Sequence, residues 1–182
     1  GTGAVSRTVQ AKERDIVSVF DFMTTAQIAD VQARTLLVDV SAAINLALAA
    51  SKSVYLPDGS YLLTAATVAL TLQGQKLIGS GRTACILSQS TAATKAISIA
   101  TGLQNVEISG FTLTRTTTAT AGGDGIGCET VSIGQAKIRD ILVEKQYRGL
   151  SLGPTDFSDV QNVIVQKCTD DGVYLTNTAG DG

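Results

Sequence analysis

The sequence predicts an all-β solenoid, specifically a right-handed single-stranded parallel β-helix with short N-terminal helices that cap its first turn. Three observations lead to this prediction. A motif recurs three times in the second half of the chain, the glycine-led strands that follow its copies lie 24 and 23 residues apart, and the apolar periodicity changes from helical to strand-like after Ser51. Repeats with a period in the low twenties are typical of solenoids.

Composition sets the broad class. The 182 residues are 44% hydrophobic and 16% charged, which suits one domain with a sizeable core. The net charge of −2, with no cluster of Lys or Arg, gives no electrostatic case for nucleic acid. No apolar run approaches the roughly 18 residues of a membrane-spanning helix, and the first residues lack the order of a signal peptide.

Histidine is absent, and three cysteines (Cys85, Cys128 and Cys168) lie far apart in the chain. Without histidine there is no Ser-His-Asp or Cys-His nucleophile system, no imidazole base and no His-ligated zinc. An odd number of distant cysteines predicts small buried hydrophobic residues in a reducing cytosol rather than a disulfide framework. We therefore expect no cofactor and no metal, and any catalysis must use carboxylates, Tyr, Lys or Arg.

The N-terminal quarter is predicted to form a linker and a helical cap. Residues 1–22 form a neck that ends in an opening strand over residues 17–20. The spacing of Thr24 and Gln27 predicts a capping box and a short helix. Asp39 or Ser41 caps a second helix that ends near residues 51–52, so that residues 23–52 form the cap. Its predicted apolar face consists of Val40, Ala43, Ile44, Ala47 and Leu48.

Residues 53–182 are predicted to form the first turns of the solenoid. The segments SVYLP, SYLLT, TVALTLQ, KLIGSG, CILSQ and AISIA are short β runs separated by Gly, Ser and Thr. No further helical pattern follows, which argues against an alternating βαβ fold.

The repeated motif begins at Ile108, Ile138 and Val160 and reads apolar, polar, then Gly, Asp or Asn, then apolar, any residue, apolar. Its third position holds Gly110, Asp140 and Asn162, the residue types that most readily adopt left-handed backbone angles. Each copy therefore predicts two short strands joined by a sharp bend.

A glycine-led strand follows each copy, beginning at Gly125, Gly149 and Gly172. We expect these glycines to make a left-handed corner of their own. Stacking of the turns then forms two interior columns, one of Ile126, Leu150 and Val173 and one of Cys128, Leu152 and Leu175, with Ile97 and Ile99 one turn earlier. The alternative is an antiparallel sandwich in which the similarity arose by chance.

Two irregularities carry further expectations. The polar loop of residues 114–125 is longer than its counterparts and is predicted to bulge from the side of the solenoid. The chain also stops soon after its last glycine-led strand, and an uncapped solenoid end would expose apolar surface. We therefore expect these residues to be part of a longer chain.

Residues 3–65 resemble bacteriophage tailspikes and tail-fibre depolymerases of the pectate-lyase-like superfamily. The similar features are the linker SRTVQAKERD, the strand VSVFDF, the helix pattern D-x-x-A-A-I and the hairpin VYLPDGSYLL. The chain departs from many members after the DF, where it has MTTAQIADVQARTLLVDV instead of a Gly/Asp-rich segment.

This resemblance implies a homotrimer whose N-terminal helix covers the open end of the solenoid. It implies binding or cleavage of bacterial surface polysaccharide (capsule or O-antigen) by a virion protein that is assembled in the host cytoplasm. It also implies attachment to an upstream virion-anchoring domain or tail protein. Neither nucleic acid nor a membrane is an expected partner.

Two functions remain open at this point. The first is a depolymerase, either a glycoside hydrolase or a lyase, whose catalytic residues lie mostly beyond residue 182. The second is a non-catalytic structural stem or receptor-binding adaptor. A bacterial adhesin or a secreted pectate lyase is disfavoured by the missing signal peptide and the odd cysteine count.

The acidic candidates for catalysis share a position near the glycine-led strands or in the GPTDFSD loop: Asp124, Glu129, Asp156, Asp159, Asp170 and Asp171. Asp124 and Asp171 fall two turns apart, about 10 Å, with Arg148 between them. That exceeds the roughly 6.5 to 9.5 Å between the carboxylates of inverting glycosidases. An Asp beside Gly is more often a turn former, so these residues predict no complete active site.

Three residues are predicted to contact sugars. Tyr147 and Arg148 stand at a corner between strands, and Tyr174 lies between two inward-facing residues and should point outward. Aromatic rings and guanidinium groups at a surface suit sugar faces and hydroxyl groups.

Overall fold

The computed structural model describes residues 16–64, 66–128, 133–153, 155–156 and 159–175. These residues form a parallel β-solenoid of about 4 turns, a parallel β-helix. In the described part of the chain the helices are α1 (Thr25–Ala33), α2 (Ser41–Ala50) and a 3-10 turn (Val19–Phe22). Neither α-helix is long and apolar enough to cross a membrane.

The strands are short and follow one another along the whole solenoid. They are β1 (Val17–Ser18), β2 (Ser53–Leu56), β3 (Gly59–Leu63), β4 (Val68–Leu70), β5 (Lys76–Gly79), β6 (Cys85–Gln89), β7 (Ile97–Ile99), β8 (Glu107–Ser109), β9 (Thr112–Arg115), β10 (Ile126–Cys128), β11 (Ile133–Gly134), β12 (Lys137–Glu144), β13 (Leu150–Leu152), β14 (Thr155–Asp156), β15 (Asp159–Gln166) and β16 (Val173–Leu175).

The strands form three sheets. A nine-stranded sheet has the order β1-β2-β5-β8-β12-β9-β6-β3, with β15 also paired to β12. A five-stranded sheet has the order β16-β13-β10-β7-β4, and β11 pairs with β14. Every pair is parallel. This confirms the solenoid and excludes the antiparallel sandwich, while the right-handed winding that parallel crossovers almost always adopt remains a prediction.

The hairpin expected over VYLPDGSYLL is wrong. Strand β2 pairs with β5 and strand β3 pairs with β6, in each case with the equivalent strand of the next turn. The Pro57-Asp58 segment therefore turns a corner of the solenoid instead of reversing the chain.

The left-handed bends of the repeated motif are confirmed. The φ angles are +77° at Gly110, +54° at Asp140 and +49° at Asn162. Strand β12 pairs with β8 before this bend and with β9 after it, so one continuous strand follows two faces of the solenoid.

The role expected for the leading glycines is wrong. Gly125, Gly149 and Gly172 lie outside the left-handed region. A Cβ on Gly149 would instead lie 2.2 Å from Cγ1 of Val165 and 2.6 Å from the carbonyl oxygen of Gly172. A Cβ on Gly125 would lie 2.5 Å from the carbonyl oxygen of Gly149. These two glycines are needed because neighbouring turns approach closely there.

The first interior column has the predicted register, with Ile126 opposite both Ile97 and Leu150, and Leu150 opposite Val173. The first three are at most 1% exposed, whereas Val173 is 52% exposed because no described turn lies over it. In the second column Cys128 and Leu152 are buried and in register.

The cysteines match their predicted structural role in part. All three are free thiols; Cys85 and Cys128 are buried and Cys168 is half-buried. Burial raises the pKa of the Cys85 thiol to about 12, so this group is an unreactive thiol at neutral pH.

The N-terminal cap follows the prediction with two corrections. Thr24 and Gln27 form the predicted capping box: the Thr24 amide donates to Gln27 Oε1 at 2.9 Å, and the Gln27 amide donates to Thr24 Oγ1 at 3.3 Å. The opening strand ends at Ser18, because the Ser18 side chain accepts from the Phe20 amide and starts a 3-10 turn.

The second correction concerns the cap of α2, whose N-cap residue is Val40. Asp39 Oδ1 accepts hydrogen bonds from the Ser41 hydroxyl at 2.6 Å, the Ser41 amide at 3.2 Å and the Thr64 amide at 2.9 Å. Asp39 thus joins the start of the helix to the end of β3. The predicted apolar face of α2 and its end at Ala50 are confirmed.

Helix α2 covers the first turn of the solenoid. The Asn45 side chain donates to the Thr67 carbonyl at 2.9 Å and accepts from the Ala69 amide at 2.9 Å, so it pairs with the free edge of β4. Gln75 Nε2 donates to the Leu48 carbonyl at 2.7 Å. Polar groups that the edge strand would otherwise expose are satisfied by the helix.

The loop after β9 does not bulge from the solenoid as expected. Residues 114–115 belong to β9, and Arg115 is only 2% exposed. The loop packs back through hydrogen bonds from the Thr120 amide to the Ala92 carbonyl at 3.0 Å and from the Tyr147 amide to the Gly123 carbonyl at 2.9 Å. The long loop is therefore layered between the corners of the turns on either side.

Candidate functional site

The corner that leads into the five-stranded sheet carries charged residues in register. Asp124, Arg148 and Asp171 each precede a leading glycine, and the glycine amides join the layers. The Gly125 amide donates to the Arg148 carbonyl at 2.8 Å, and the Gly149 amide donates to the Asp171 carbonyl at 3.1 Å. Charges of alternating sign are thereby stacked along this edge.

Four side chains at this corner form what we call the Arg148 cluster: Tyr147, Arg148, Asp170 and Tyr174. Arg148 Nε donates to Asp170 Oδ2 at 3.0 Å. The guanidinium carbon of Arg148 lies 3.6 Å from the centre of the Tyr174 ring and 5.4 Å from that of Tyr147. The structure thus brings the three predicted sugar-contact residues together with one of the acidic candidates.

The register of the short strands explains how the cluster forms. Ser151 lies opposite Tyr174, between the inward pairs Leu150–Val173 and Leu152–Leu175. Side chains alternate between the two faces of a strand, so Tyr174 points outward as predicted. Arg148, one turn earlier and just before its strand, is in position to stack on the ring.

Arg148 is a permanent cation. Partial burial acts to lower the pKa of Arg148. The hydrogen bond that Arg148 donates to Asp170, together with the nearby Tyr174, Asp124 and Asp170, outweighs this effect, and the pKa is raised from its ordinary value. The guanidinium covers one face of the Tyr174 ring, so a sugar cannot stack there. The cluster therefore offers guanidinium and phenol groups as hydrogen-bonding partners beside the exposed parts of two rings.

The acidic candidates are placed differently from one another. Asp124 is 2% exposed and contributes an attractive charge interaction to the buried Arg115. Asp170 is held by Arg148, Asp171 is exposed, and Asp159 lies in β15 opposite Lys137. Glu129 and the side chain of Asp156 lie outside the described residues.

The spacing of the turns bears on hydrolysis. Asp124 and Asp171 are separated by two turns, about 10 Å at the usual strand spacing, and Arg148 occupies the turn between them. That separation exceeds the range for paired glycosidase carboxylates. Within the part of the chain that the structure describes, no group of three or more Cys, Asp or Glu residues could hold a metal ion.

Sequence reasoning missed one side chain on the outward face of the five-stranded sheet. A Cβ on Gly127 would lie 2.6 to 2.7 Å from Cδ, Cε and Nζ of Lys95, so the lysine side chain crosses the strand at this glycine. A single glycine inside a strand often marks a place where another part of the chain approaches closely. Gly127 was therefore the signal in the sequence that could have indicated this contact.

No protein-family profile and no curated protein matches this chain. Solved structures with a similar fold include ORF18 of Geobacillus virus E2, with a TM-score of 0.63 and 18% sequence identity. The match covers 81% of this chain and 29% of the virus protein. The chain therefore spans less than a third of that relative.

Two further structures are the A-modules of mannuronan C-5 epimerases of Azotobacter vinelandii. The AlgE6 module has a TM-score of 0.55 and 19% identity over 80% of this chain and 41% of the module chain. The AlgE4 module has a TM-score of 0.53 and 18% identity over 92% of this chain and 55% of the module chain. At such identities these structures show the shared fold, a parallel β-helix.

Proposed function

We propose that this chain is the N-terminal part of a phage tailspike that binds and depolymerises bacterial surface polysaccharide, either capsule or O-antigen. The observation that carries the proposal is the Arg148 cluster, where a guanidinium and two tyrosines meet beside the five-stranded sheet. The fold shared with a virus protein and with modules whose name gives mannuronan as substrate supports it. The tailspike-like linker, helix and strand motifs of residues 3–65 support it as well.

The solenoid suits a polymeric ligand for a geometric reason. Equivalent positions of successive turns repeat about every 4.8 Å along the axis. A linear glycan laid along the axis meets a new set of side chains at each turn, so weak contacts such as those of Arg148 and Tyr147 add up along its length.

The alternative is a non-catalytic stem or receptor-binding adaptor. This alternative is favoured because two of the candidate catalytic carboxylates are not free to act on a substrate. Asp124 is buried, and Asp170 is paired with Arg148. In that case the Arg148 cluster binds glycan without cleaving it.

An assay on host polysaccharides separates these functions. The full-length protein is incubated with capsule and O-antigen preparations, and new reducing ends (hydrolysis) and unsaturated uronates (lyase cleavage) are measured together with binding. Cleavage supports the depolymerase, and binding without cleavage supports the adaptor. Absence of both would contradict the proposal, and cleavage by residues 1–182 alone would contradict the adaptor.

The proposal includes a homotrimer joined to an upstream virion-anchoring domain or tail protein. The resemblance of residues 3–65 to tailspikes supports this part. Sedimentation equilibrium at micromolar concentration is expected to give three times the mass of the chain. A monomer at that concentration would contradict it.

A further inference from the structure

A pocket of about 260 Å³ opens at the same corner of the solenoid as the Arg148 cluster. Its walls include Thr116, Thr117, Thr118, Ala119, Lys145 and Thr169. The corners that lead into the five-stranded sheet span residues 90–96, 116–125, 145–149 and 167–172. The second corner is the longest, and its Ala119 carbonyl accepts a hydrogen bond at 3.2 Å from the Thr169 hydroxyl, two corners later.

The floor of the pocket is held rigidly by Arg115. Its Nη2 group donates to the Thr94 carbonyl at 2.8 Å, the Gly123 carbonyl at 3.0 Å and Gln146 Oε1 at 2.9 Å, and Nη1 also donates to the Thr91 carbonyl. These partners belong to three successive corners, so one side chain fixes their relative positions. The pocket is therefore formed before any ligand binds, which lowers the entropic cost of binding.

Two of the threonine hydroxyl groups in the walls donate to carbonyl groups of the chain. Thr117 Oγ1 donates to the Ser90 carbonyl at 3.0 Å, and Thr169 Oγ1 donates to the Ala119 carbonyl at 3.2 Å. Each of these two hydroxyl protons is used in a hydrogen bond within the chain. Each oxygen retains lone pairs that can accept a hydrogen bond from a hydroxyl group of a ligand.

The pocket carries positive charge. Lys145 is exposed at its rim, and among the described residues no carboxylate lies within ion-pair distance of its ammonium group. Arg115 stays cationic at neutral pH, although burial lowers its pKa to about 10. Of the nearby acids, Glu144 contacts Thr114, Gln166 and Lys167, and, against the effect of burial, the charges of Lys145 and Lys167 both help to lower its pKa. The buried Asp124 lies near Arg115.

We propose that this pocket binds one sugar unit that carries a carboxylate. The Lys145 ammonium group pairs with the carboxylate, and the threonine oxygens accept hydrogen bonds from the sugar hydroxyls. The volume lies just below the roughly 300 to 1,000 Å³ of pockets for drug-sized ligands, which fits a single unit of a longer chain.

This inference rests on the proposed glycan-binding function and specifies an acidic glycan. The turn of residues 145–149 carries Lys145 at one end and Arg148 at the other, and Thr169 is followed directly by Asp170. The pocket and the Arg148 cluster therefore belong to one corner, and one polymer can contact both.

Calorimetric titration of the full chain tests the assignment. The probes are oligomers of mannuronate, glucuronate and galacturonate, each compared with its carboxyl-reduced neutral form. We expect an acidic oligomer to bind at least about tenfold more tightly than its reduced form, and Lys145→Gln to abolish that preference. Binding should also weaken as salt is added, because Lys145 is exposed.

Lys167→Gln is the matched control. Lys167 occupies the equivalent position one turn later with a similar backbone angle (φ +55° against +59° at Lys145), but it lies 3.8 Å from Glu144 and outside the pocket. It should retain the preference for the acidic form. A second variant, Thr118→Tyr, fills the pocket from an exposed position and should lower affinity for the acidic oligomer as much as Lys145→Gln does.

The proposal is overturned if no acidic oligomer binds the wild-type chain, if acidic and reduced forms bind equally, or if Lys145→Gln and Lys167→Gln behave alike. It is also overturned if inorganic phosphate competes as well as the sugar acid, since the pocket would then be a general anion site. Failure of the glycan-binding function itself is distinguishable. In that case host polysaccharides do not bind at all, whereas failure of this inference alone leaves their binding intact and insensitive to carboxyl reduction.

Discussion

The guanidinium carbon of Arg148 lies 3.6 Å from the centre of the Tyr174 ring, although the two residues come from successive turns of the solenoid. The parallel register places them together. Leu150 lies opposite Val173, Arg148 comes shortly before Leu150, and Tyr174 directly follows Val173. Asp170 fixes the other side of the guanidinium group at 3.0 Å. A cation, two phenols and a carboxylate are thus assembled on the outside of a regular stack.

Replacing Arg148 should weaken glycan binding without unfolding the protein. We expect Arg148→Ala to lower affinity for the polysaccharide that the full-length protein binds by about tenfold, because charged hydrogen bonds are lost. Stability should change by no more than about 1 kcal/mol, because the ion pair with Asp170 is partly exposed. Binding is measured by calorimetry and stability by urea unfolding. Arg139→Ala is the control, since Arg139 pairs with Glu107 on the other large sheet; equal losses in both variants would contradict a specific role for Arg148.

The leading glycines should differ in their tolerance of alanine. Gly149→Ala places a methyl group 2.2 Å from Val165 Cγ1 and should lower the free energy of unfolding by about 1 to 3 kcal/mol. Gly172→Ala meets the same atom, Val165 Cγ1, at 3.6 Å, an ordinary contact, and should change the free energy of unfolding by less than about 0.5 kcal/mol. Urea unfolding of both variants provides the comparison. Similar losses in both variants would contradict close approach as the reason for glycine at position 149.

The left-handed bend should discriminate between side chains at Asn162. Asn162→Val should cost about 1 to 2 kcal/mol, since a β-branched residue is strained at a φ of +49°. Asn162→Gly should be far milder, because glycine adopts this angle freely and only the exposed hydrogen bond to Asp140 is lost. The neighbouring exposed Gln161→Val is the control and should be nearly neutral in a strand. Equal costs for valine at both positions in thermal unfolding would contradict this explanation.

Acid should destabilise the N-terminal cap through Asp30 and Asp39. Burial acts to raise the pKa of each carboxyl, but hydrogen bonds outweigh it: those to Asp30 come from Thr35, Leu37 and Val38, and those to Asp39 from Ser41 and Thr64. Both pKa values are therefore lowered below the ordinary 3.8. A lowered pKa in the folded state contributes stability that is complete above pH 3.8 and is lost as the pH falls through the folded value.

The measurement for this prediction is urea unfolding between pH 7 and pH 2.5. Asp39→Asn should be less stable than wild type at pH 7 and should lose less further stability below pH 4. Asp58→Asn is the control, because Asp58 is exposed and accepts no side-chain hydrogen bond among the described residues. An acid response of Asp39→Asn identical to that of wild type would refute the role of this carboxylate.

Local signals predicted the parts of the fold that depend on neighbours in sequence. The Thr24–Gln27 capping box, the apolar face of α2 and the left-handed angles at Gly110, Asp140 and Asn162 each follow from a residue type and its immediate spacing. The register of Ile126, Leu150 and Val173 followed from the repeat, because each of them directly follows a leading glycine and equivalent strands of successive turns stack in register.

Contacts between turns account for the predictions that failed. The two strands and the turn predicted for residues 54–63 are present, but the two strands do not pair with each other. Strands β2 and β3 each pair with a strand of the next turn, and the sequence does not show which strand will be the partner. The loop of residues 114–125 is predicted to bulge outward. The buried Arg115 instead holds it through the Gly123 carbonyl within the loop and the Thr91 and Thr94 carbonyls of the preceding corner.

The sequence by itself determined that the chain would coil into stacked parallel turns with apolar columns inside, since a bend residue and an alternating apolar pattern recur in each copy of the motif. The tertiary structure alone decided what the outside presents: the Arg148 cluster, Lys95 across Gly127, and the pocket beneath Lys145. The physical reason is that bends and burial depend on backbone angles and hydrophobicity, which are local. A surface site depends on unequal corner lengths and on side chains that meet across turns.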